Sequence, residues 1–166
     1  MANLIVIRGN SGSGKSTVAR LVRERARSGA KIAVVEQDYL RRIVLKEKEN
    51  EGIANIGLIQ QTVSYCMSQG FHVVLEGILY SKRYGDMIGA LADEADQYWA
   101  YYFDVSFEET LRRHVTKPNA AEFGEAEMRG WFNEDDRLGL TREWVIVEQH
   151  SSEASAKRIL SDADLL

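Results

Sequence analysis

Cysteine and proline are almost absent from this sequence: each occurs once, as Cys66 and Pro118, among 166 residues. A single cysteine excludes a disulfide framework within the chain, and its place among apolar residues at helical spacing predicts a buried thiol. Long apolar runs are also missing. No stretch approaches the ~20 residues that a membrane-spanning helix needs, and no basic leader precedes the first apolar run. We therefore expect a cytoplasmic protein with no membrane partner.

Runs of basic residues are missing as well. The formal net charge is −4, and no cluster of lysine and arginine is long enough to follow a nucleic-acid backbone. This argues against duplex DNA as a partner. Apolar residues make up 45% of the chain and charged residues 28%, without repeats or low-complexity tracts. This composition and length predict one globular domain over residues 1–166.

What the sequence does contain is a complete phosphate-binding loop. Residues 9–17 spell G-N-S-G-S-G-K-S-T and match the pattern G-x-x-x-x-G-K-[ST] directly after a short strand-like segment. The glycines allow backbone N–H groups to point inward, Lys15 can reach the β- and γ-phosphates, and the Ser16 hydroxyl can bind Mg²⁺. The residues of this nucleotide-binding loop are Gly9, Asn10, Ser11, Gly12, Ser13, Gly14, Lys15, Ser16 and Thr17. The helix that follows adds N-terminal N–H groups that favour an anion.

Strand-like and helical patterns alternate along the chain. Strands are predicted at 3–8, 31–37, 71–76, 98–104 and 143–147, and two of them read as continuous apolar runs, which is typical of strands buried on both faces. Helices are predicted near 15–28, 39–47, 53–69, 82–95, 106–115, 125–132 and 152–160. This order predicts an α/β fold: a three-layer α/β/α sandwich around a five-stranded parallel sheet.

Acidic residues stand at the ends of three predicted strands, where ligands of open α/β sheets bind. Asp38 is the candidate general base for phosphoryl transfer to a hydroxyl, and Arg41 lies one helical turn away, beside the acceptor. Capping of a helix is the alternative role of Asp38. Glu76 is the candidate second metal ligand with Ser16, and a strand-end turn is its alternative role. Asp104 is assigned to a turn or helix cap and left out of the site.

Residues 116–143 resemble a lid, because this segment holds the only proline, several glycines and an acidic group at 134–136. The alternative is a surface excursion whose Met128, Trp131 and Phe132 pack on the core. Basic residues cluster before it at 112–117, and Arg113 and Lys117 lie one turn apart. They could neutralise the transferring phosphoryl group when a lid closes, or simply follow the helix C-terminus.

Together, the phosphate loop, D-Y-L-R at 38–41, L-E-G at 75–77 and R-R-H-V-T-K at 112–117 resemble the P-loop kinase group that contains zeta toxins, chloramphenicol phosphotransferase and the polynucleotide 5′-kinase domain. The resemblance covers most of the chain in order. It implies an ATP–Mg²⁺ donor, a base at Asp38 and an acceptor-orienting arginine at Arg41.

The resemblance also implies roles for the nucleotide-binding residues. Ser16 would bind Mg²⁺, Thr17 would contact the α-phosphate, and Arg112 or Arg113 would flank the adenine. The group often carries an R-x-x-x-R pair at the lid, whereas here Arg113 is followed by Lys117. A lysine cannot provide the bidentate clamp of an arginine.

The favoured function is an ATP-dependent kinase of a small hydroxylated acceptor, and a 5′-hydroxyl polynucleotide kinase is an alternative. An acidic lid with Trp131 and Phe132 suits a cationic or aromatic molecule better than a polyanion. A GTPase switch is excluded, because the near-match T-K-P-N at 116–119 ends in Asn. The other alternative is a nucleotide-gated ATPase or binding module without a small-molecule acceptor. Modules of the ring-ATPase kind usually need paired acids at the end of this strand, whereas here Glu76 is followed by Gly77.

Overall fold

The computed structural model describes residues 1–48, 54–116 and 121–166. Five strands form one sheet: β1 Asn3–Gly9, β2 Ile32–Glu36, β3 His72–Gly77, β4 Gln97–Asp104 and β5 Glu143–Val147. Their order is β2-β3-β1-β4-β5, and every neighbouring pair is parallel. The strand that leads into the phosphate loop is therefore the central one. The α/β sandwich and the five-stranded parallel sheet predicted from the sequence are confirmed.

The described part of the chain contains six α-helices: α1 Lys15–Arg25, α2 Ala54–Ser68, α3 Ser81–Glu94, α4 Phe107–His114, α5 Glu125–Trp131 and α6 Ser152–Asp162. The first helix is three residues shorter than the predicted 15–28, because the chain turns extended at Ala26. In the described part of the chain, no helix is long and apolar enough to cross a bilayer.

Two apolar cores lie on opposite faces of the sheet, because successive strand residues point to opposite sides. In β1, Ile5 and Ile7 pack against α1 and α6, while Leu4 and Val6 pack against α2 and α3. Each buried aliphatic side chain of this kind stabilises the fold by ~1.5–3 kcal/mol. The strand ends that carry the candidate site residues are thereby held between two rigid helical layers. Cys66 lies at the border of the second core and is half-buried, less than its pattern predicts.

The segment after β2 is not the α-helix predicted at 39–47. Tyr39–Val44 forms a π-helix, in which the N–H of Leu45 donates to the carbonyl of Leu40, five residues earlier. No residue of this element is fully buried, and Leu40 packs against the second core while Tyr39, Ile43 and Val44 are exposed, so core packing imposes the α-helical period of 3.6 residues only weakly. Such π-helical turns are rare in proteins, and those that occur are often found at functional sites.

Candidate active site

The phosphate loop lies between β1 and the N-terminus of α1. Gly12 and Gly14 in this loop have backbone conformations that favour glycine, and Gly12 also has a close neighbour. Gly12 has φ +82°, and a Cβ built on it would lie 2.6 Å from the carbonyl oxygen of Thr110 in α4. Gly14, with φ +100°, caps α1 in the left-handed region that glycine adopts at no steric cost. The loop is therefore closely packed against α4, and its curvature depends on residues without side chains.

Lys15 is buried inside the loop. Its Nζ donates to the carbonyl oxygen of Asn10 at 2.8 Å and to the Ser13 hydroxyl at 3.4 Å. The ammonium group thus lies within the curve of the backbone, where the N–H groups of the loop and of α1 converge. A cation and a ring of N–H donors in one concave turn make a site for polyphosphate.

Ser16 and Glu76 meet beside this loop. The Ser16 hydroxyl donates to the Glu76 carboxylate at 3.1 Å, and Glu76 is only 4% exposed at the end of β3. Burial raises the pKa of Glu76, the nearby Lys15 ammonium opposes this effect, and the Glu36 carboxylate adds to it. A hydroxyl and a carboxylate next to a phosphate loop are oxygen donors of the kind that Mg²⁺ prefers. The residues present therefore fit this ion.

Asp38 and Arg41 lie at the carboxyl end of the neighbouring strand β2. The Arg41 Nη2 donates to the Asp38 Oδ1 at 2.9 Å, as the spacing predicts, and the Arg41 Nη1 donates to the carbonyl oxygen of Glu47 at 3.1 Å. The Asp38 side chain is 54% exposed, whereas that of Arg41 is 14% exposed. The Asp38 side chain makes no capping hydrogen bond to the π-helix that follows it. Its carboxylate is held in place and open to a ligand.

A cavity of about 390 Å³ brings the phosphate loop and the Asp38–Arg41 pair together. Its lining includes Ser11 of the loop, Asp38, Arg41, Tyr80 and Trp131. Trp131 belongs to α5, within the predicted lid. The cavity is within the range of small-molecule sites, ~300–1,000 Å³, and it connects the loop directly to the candidate base.

Arg113 is bound by three different segments. Its Nη1 donates to the carbonyl oxygen of Ser13 at 2.8 Å, its Nη2 to that of Glu148 at 3.0 Å, and its Nε to the Glu109 carboxylate at 2.6 Å. Arg113 therefore connects the loop to α4 and to the turn that follows β5. The structure places its guanidinium against loop backbone, and the role in neutralising the phosphoryl group that the sequence predicts for Arg113 stays a prediction.

Arg112 is exposed at the surface of α4. It binds the same Glu109 carboxylate through Nε at 2.6 Å and Nη2 at 2.7 Å, and its side chain is 74% exposed. Hydrogen bonds from Arg112 and Arg113 lower the pKa of Glu109 to about 2. The third predicted cation, Lys117, lies outside the described residues.

The second half of the predicted lid is tied to the central strand. Arg8, 0% exposed, donates to the carbonyl oxygen of Leu79 through Nε and Nη2 at 3.0 and 2.8 Å, and its Nη2 lies 2.7 Å from the Asp136 carboxylate. The Nδ2 of Asn10 donates to the carbonyl oxygen of Asn133 at 2.7 Å, and the N–H of Asn133 donates back to the Asn10 Oδ1 at 2.9 Å. Residues 133–136 are therefore fixed to β1 and to the loop.

Sequence reasoning missed Arg8 and Asn133. A charged residue at the end of an apolar strand is a signal that could have identified Arg8, because a buried guanidinium requires acidic or carbonyl partners. Asn133 acts through its backbone, so its side-chain type gives no signal.

Solved structures share this architecture. The chain is 18% identical to an APS kinase from Mycobacterium tuberculosis, determined with AMPPNP and APS, at a TM-score of 0.76 over 98% of each chain. It is 18% identical to a tunicamycin resistance protein from Deinococcus radiodurans, at a TM-score of 0.68 over 100% of this chain and 98% of that one. A gluconokinase from Sinorhizobium meliloti is 15% identical, at a TM-score of 0.63 over 97% of this chain and 93% of that one.

At these identities the likeness concerns the fold. No curated protein matches the sequence. A family model described as an AAA domain matches residues 4–132, which is more than half of the chain and includes the phosphate loop, Asp38, Glu76 and Arg113. The protein therefore belongs to the AAA_33 family, with the fold of a P-loop kinase.

Proposed function

We propose that this protein is an ATP-dependent phosphotransferase that moves the γ-phosphoryl group of ATP to a hydroxyl of a small molecule. One observation carries the proposal: a single cavity is lined by Ser11 of the phosphate loop and by the Asp38–Arg41 pair. A nucleotide-binding loop alone serves many functions, but a positioned carboxylate in the same cavity suits transfer to an acceptor. The kinases among the structural neighbours support the same reading.

The nucleotide end of the site rests on the loop and on α1. The backbone N–H groups and Lys15 hold the β- and γ-phosphates, and Thr17, at the exposed start of α1, contacts the α-phosphate. The Ser16 hydroxyl and the Glu76 carboxylate would hold Mg²⁺, which when bound neutralises charge on the transferring phosphoryl group. Burial disfavours the ionised form of Glu76, and a bound cation beside the carboxylate would stabilise that ionised form.

The acceptor end rests on Asp38. The acceptor hydroxyl oxygen forms a bond to the γ-phosphorus as the bond from that phosphorus to the bridging oxygen of ADP breaks, and the hydroxyl proton passes to the Asp38 carboxylate. Arg41 holds that carboxylate at 2.9 Å and presents a cation beside the acceptor. Transfer is thus in line from the loop side of the cavity to the Asp38 side.

Arg113 supports the nucleotide site indirectly. Its contacts with the carbonyl oxygens of Ser13 and Glu148 suit a residue that keeps the loop in shape and flanks the base of the nucleotide. Arg112 contacts the nucleotide only if its ion pair with Glu109 opens. The role of Lys117 in closing the lid stays a prediction from the sequence.

The experiment compares three proteins: the wild type, Asp38→Asn, and the control Asp93→Asn, which makes the same change at an exposed position of α3. Each is incubated with ATP, Mg²⁺ and a pooled panel of sugars, nucleosides, hydroxylated antibiotics and 5′-hydroxyl oligonucleotides. Mass spectrometry detects the gain of one phosphoryl group. The proposal expects a product from the wild type and the control, and a loss of at least ~100-fold in rate for Asp38→Asn.

Two results would contradict it. Equal consumption of ATP by all three proteins without a phosphorylated product would favour an ATPase module. Phosphorylation of the oligonucleotides alone would favour a polynucleotide kinase.

A further inference from the structure

The cavity beside Asp38 has an aromatic wall, which we define as Tyr80, Phe123 and Trp131. The rings of Phe123 and Trp131 are 5.1 Å apart in an edge-to-face arrangement, and the Tyr80 hydroxyl donates to the carbonyl oxygen of Trp131 at 2.6 Å. Trp131 is 39% exposed, which is high for a tryptophan inside a fold. The wall therefore offers flat apolar surface to a ligand.

His114 supports this wall from behind. Its ring stacks on Phe123 at 4.5 Å between centroids, and its Nε2 lies 2.9 Å from the carbonyl oxygen of Phe123. His114 itself is buried. The aromatic rings are thus held in fixed orientations before a ligand arrives, which lowers the entropic cost of stacking on them.

The charges that line the cavity cancel. Among the described lining residues, three side chains are cationic and three are anionic: Arg41, Arg42, Lys48, Asp38, Glu122 and Glu127. The carboxylates have partners, since Asp38 accepts from Arg41 at 2.9 Å, Glu122 from Arg42 at 3.3 Å, and Glu127 from the Gly124 N–H at 3.0 Å. Among the described residues, the lining therefore carries no surplus of either sign that would favour a charged ligand.

The acidic group at 134–136 does not line this cavity. Asp136 binds Arg8, and Asp135 binds Arg137 at 2.6 Å. The sequence-based preference for a cationic acceptor depended on that acidic group. In this cavity only the preference for an aromatic acceptor keeps its support, from Trp131.

We propose that the phosphoryl acceptor is an uncharged, hydroxylated molecule with a flat ring, which packs against the aromatic wall while its hydroxyl faces Asp38. This inference rests on the proposed function. The cavity volume of about 390 Å³ admits one such molecule. A nucleoside and an aryl alcohol both carry this chemistry, and the panel below separates them.

The test uses matched acceptors. Nucleosides and aryl diols are neutral and carry a flat ring. The corresponding nucleoside monophosphates keep the ring and add negative charge. Sugar acids are charged and have no flat ring, and linear polyols are neutral and have no flat ring. The proteins are the wild type, Trp131→Leu, Trp131→Phe and the control Tyr65→Leu, which removes an exposed aromatic ring from α2. Phosphoryl transfer gives kcat and KM, and calorimetry gives binding without turnover.

The expected result is transfer to one of the neutral ring classes with the highest kcat/KM of the panel. Trp131→Leu should raise the KM for that acceptor at least about five-fold, because stacking on the indole is lost. Trp131→Phe should restore most of the affinity, and Tyr65→Leu should leave it unchanged. The KM for ATP should stay the same in all four proteins.

Other outcomes separate this inference from the proposed function. Efficient transfer to sugar acids, monophosphates or linear polyols would overturn the inference and leave the kinase function standing. Binding of a neutral ring molecule that depends on Trp131, without any transfer, would support the ligand class and contradict the kinase function. Neither binding nor transfer with any neutral ring molecule would overturn the inference.

Discussion

The buried Arg8 forms an ion pair with the half-buried Asp136, with a distance of 2.7 Å between Nη2 and Oδ2, although they are 128 residues apart in the chain. Asp136 also accepts from the backbone N–H of Ser81 at 3.0 Å, at the N-terminus of α3. One carboxylate therefore links the central strand, a helix start and the end of the predicted lid. The end of the predicted lid at 133–136 is therefore held against β1 and the phosphate loop.

This ion pair yields a prediction on stability. Replacing Asp136 by Asn should lower the free energy of unfolding by about 3 kcal/mol, because the Arg8 guanidinium stays buried with one anion fewer. Urea unfolding measures the change. Asp135→Asn is the control, since Asp135 is exposed and its pair with Arg137 contributes little. Equal unfolding midpoints for the two variants would show that the pair does not hold the segment.

The raised pKa of Glu76 yields a prediction on pH. In the proposed function, ionised Glu76 is the form that would bind Mg²⁺, so affinity for Mg²⁺–ATP should fall as the pH is lowered through the folded-state pKa, which lies above the ordinary value of 4.5. In Glu76→Gln this part of the pH dependence should disappear and affinity should be low throughout. Isothermal calorimetry across pH 5 to 8 is the measurement.

The same variant should behave differently in stability without ligands. A carboxyl with a raised folded pKa favours folding below its unfolded pKa, and this contribution is lost as the pH rises through the folded pKa. Glu76→Gln removes the burial of a charge, so its melting temperature should equal or exceed that of the wild type at pH 8. A marked drop in melting temperature would mean that the Glu76 carboxylate is stabilised by its surroundings.

The two arginines of α4 should differ in their effect on nucleotide binding. Arg113→Gln removes the hydrogen bonds to the carbonyl oxygens of Ser13 and Glu148 and should raise the Kd for ATP about ten-fold. Arg112→Gln is the matched control and should change the Kd by less than about two-fold, since its pair with Glu109 is exposed. The reverse order would assign the nucleotide contact to Arg112.

The close contact at Gly12 gives a further prediction. Gly12→Ala places a Cβ 2.6 Å from the Thr110 carbonyl oxygen, so the loop must shift, and the Kd for ATP should rise at least about ten-fold. Gly29→Ala is the control, because Gly29 has a similar φ of +87° with open space around it. It should lower stability by ~1 kcal/mol and leave ATP binding unchanged. Similar ATP affinities for both variants would refute the packing argument.

The fold and the nucleotide loop were predictable because their signals are local. A phosphate loop depends on glycines and a lysine at fixed spacing, and buried parallel strands depend on short apolar runs. The predicted strand 143–147 has the bounds of β5, and α2 lies within the predicted 53–69. The contact of Arg41 with Asp38 was also predictable, because three residues of chain bring them together in any helical turn.

The π-helix at Tyr39–Val44 was less predictable, since its apolar residues suggest an α-helix while the fold leaves them exposed. Likewise, the pattern R-R at 112–113 does not show which arginine faces the loop. Rotation about the α4 axis decides this, and the close packing of Thr110 in α4 against Gly12 of the loop constrains that rotation.

The sequence by itself determined the central strand, the phosphate loop and the acidic residues at the strand ends, because these depend on neighbours within a few residues. The tertiary structure decided which distant groups share a cavity. Trp131 and Asp38 line one pocket, and Arg8 holds Asp136, only because the sheet order places their segments side by side. Burial and partner choice are properties of the packed chain, so no local pattern can encode them alone.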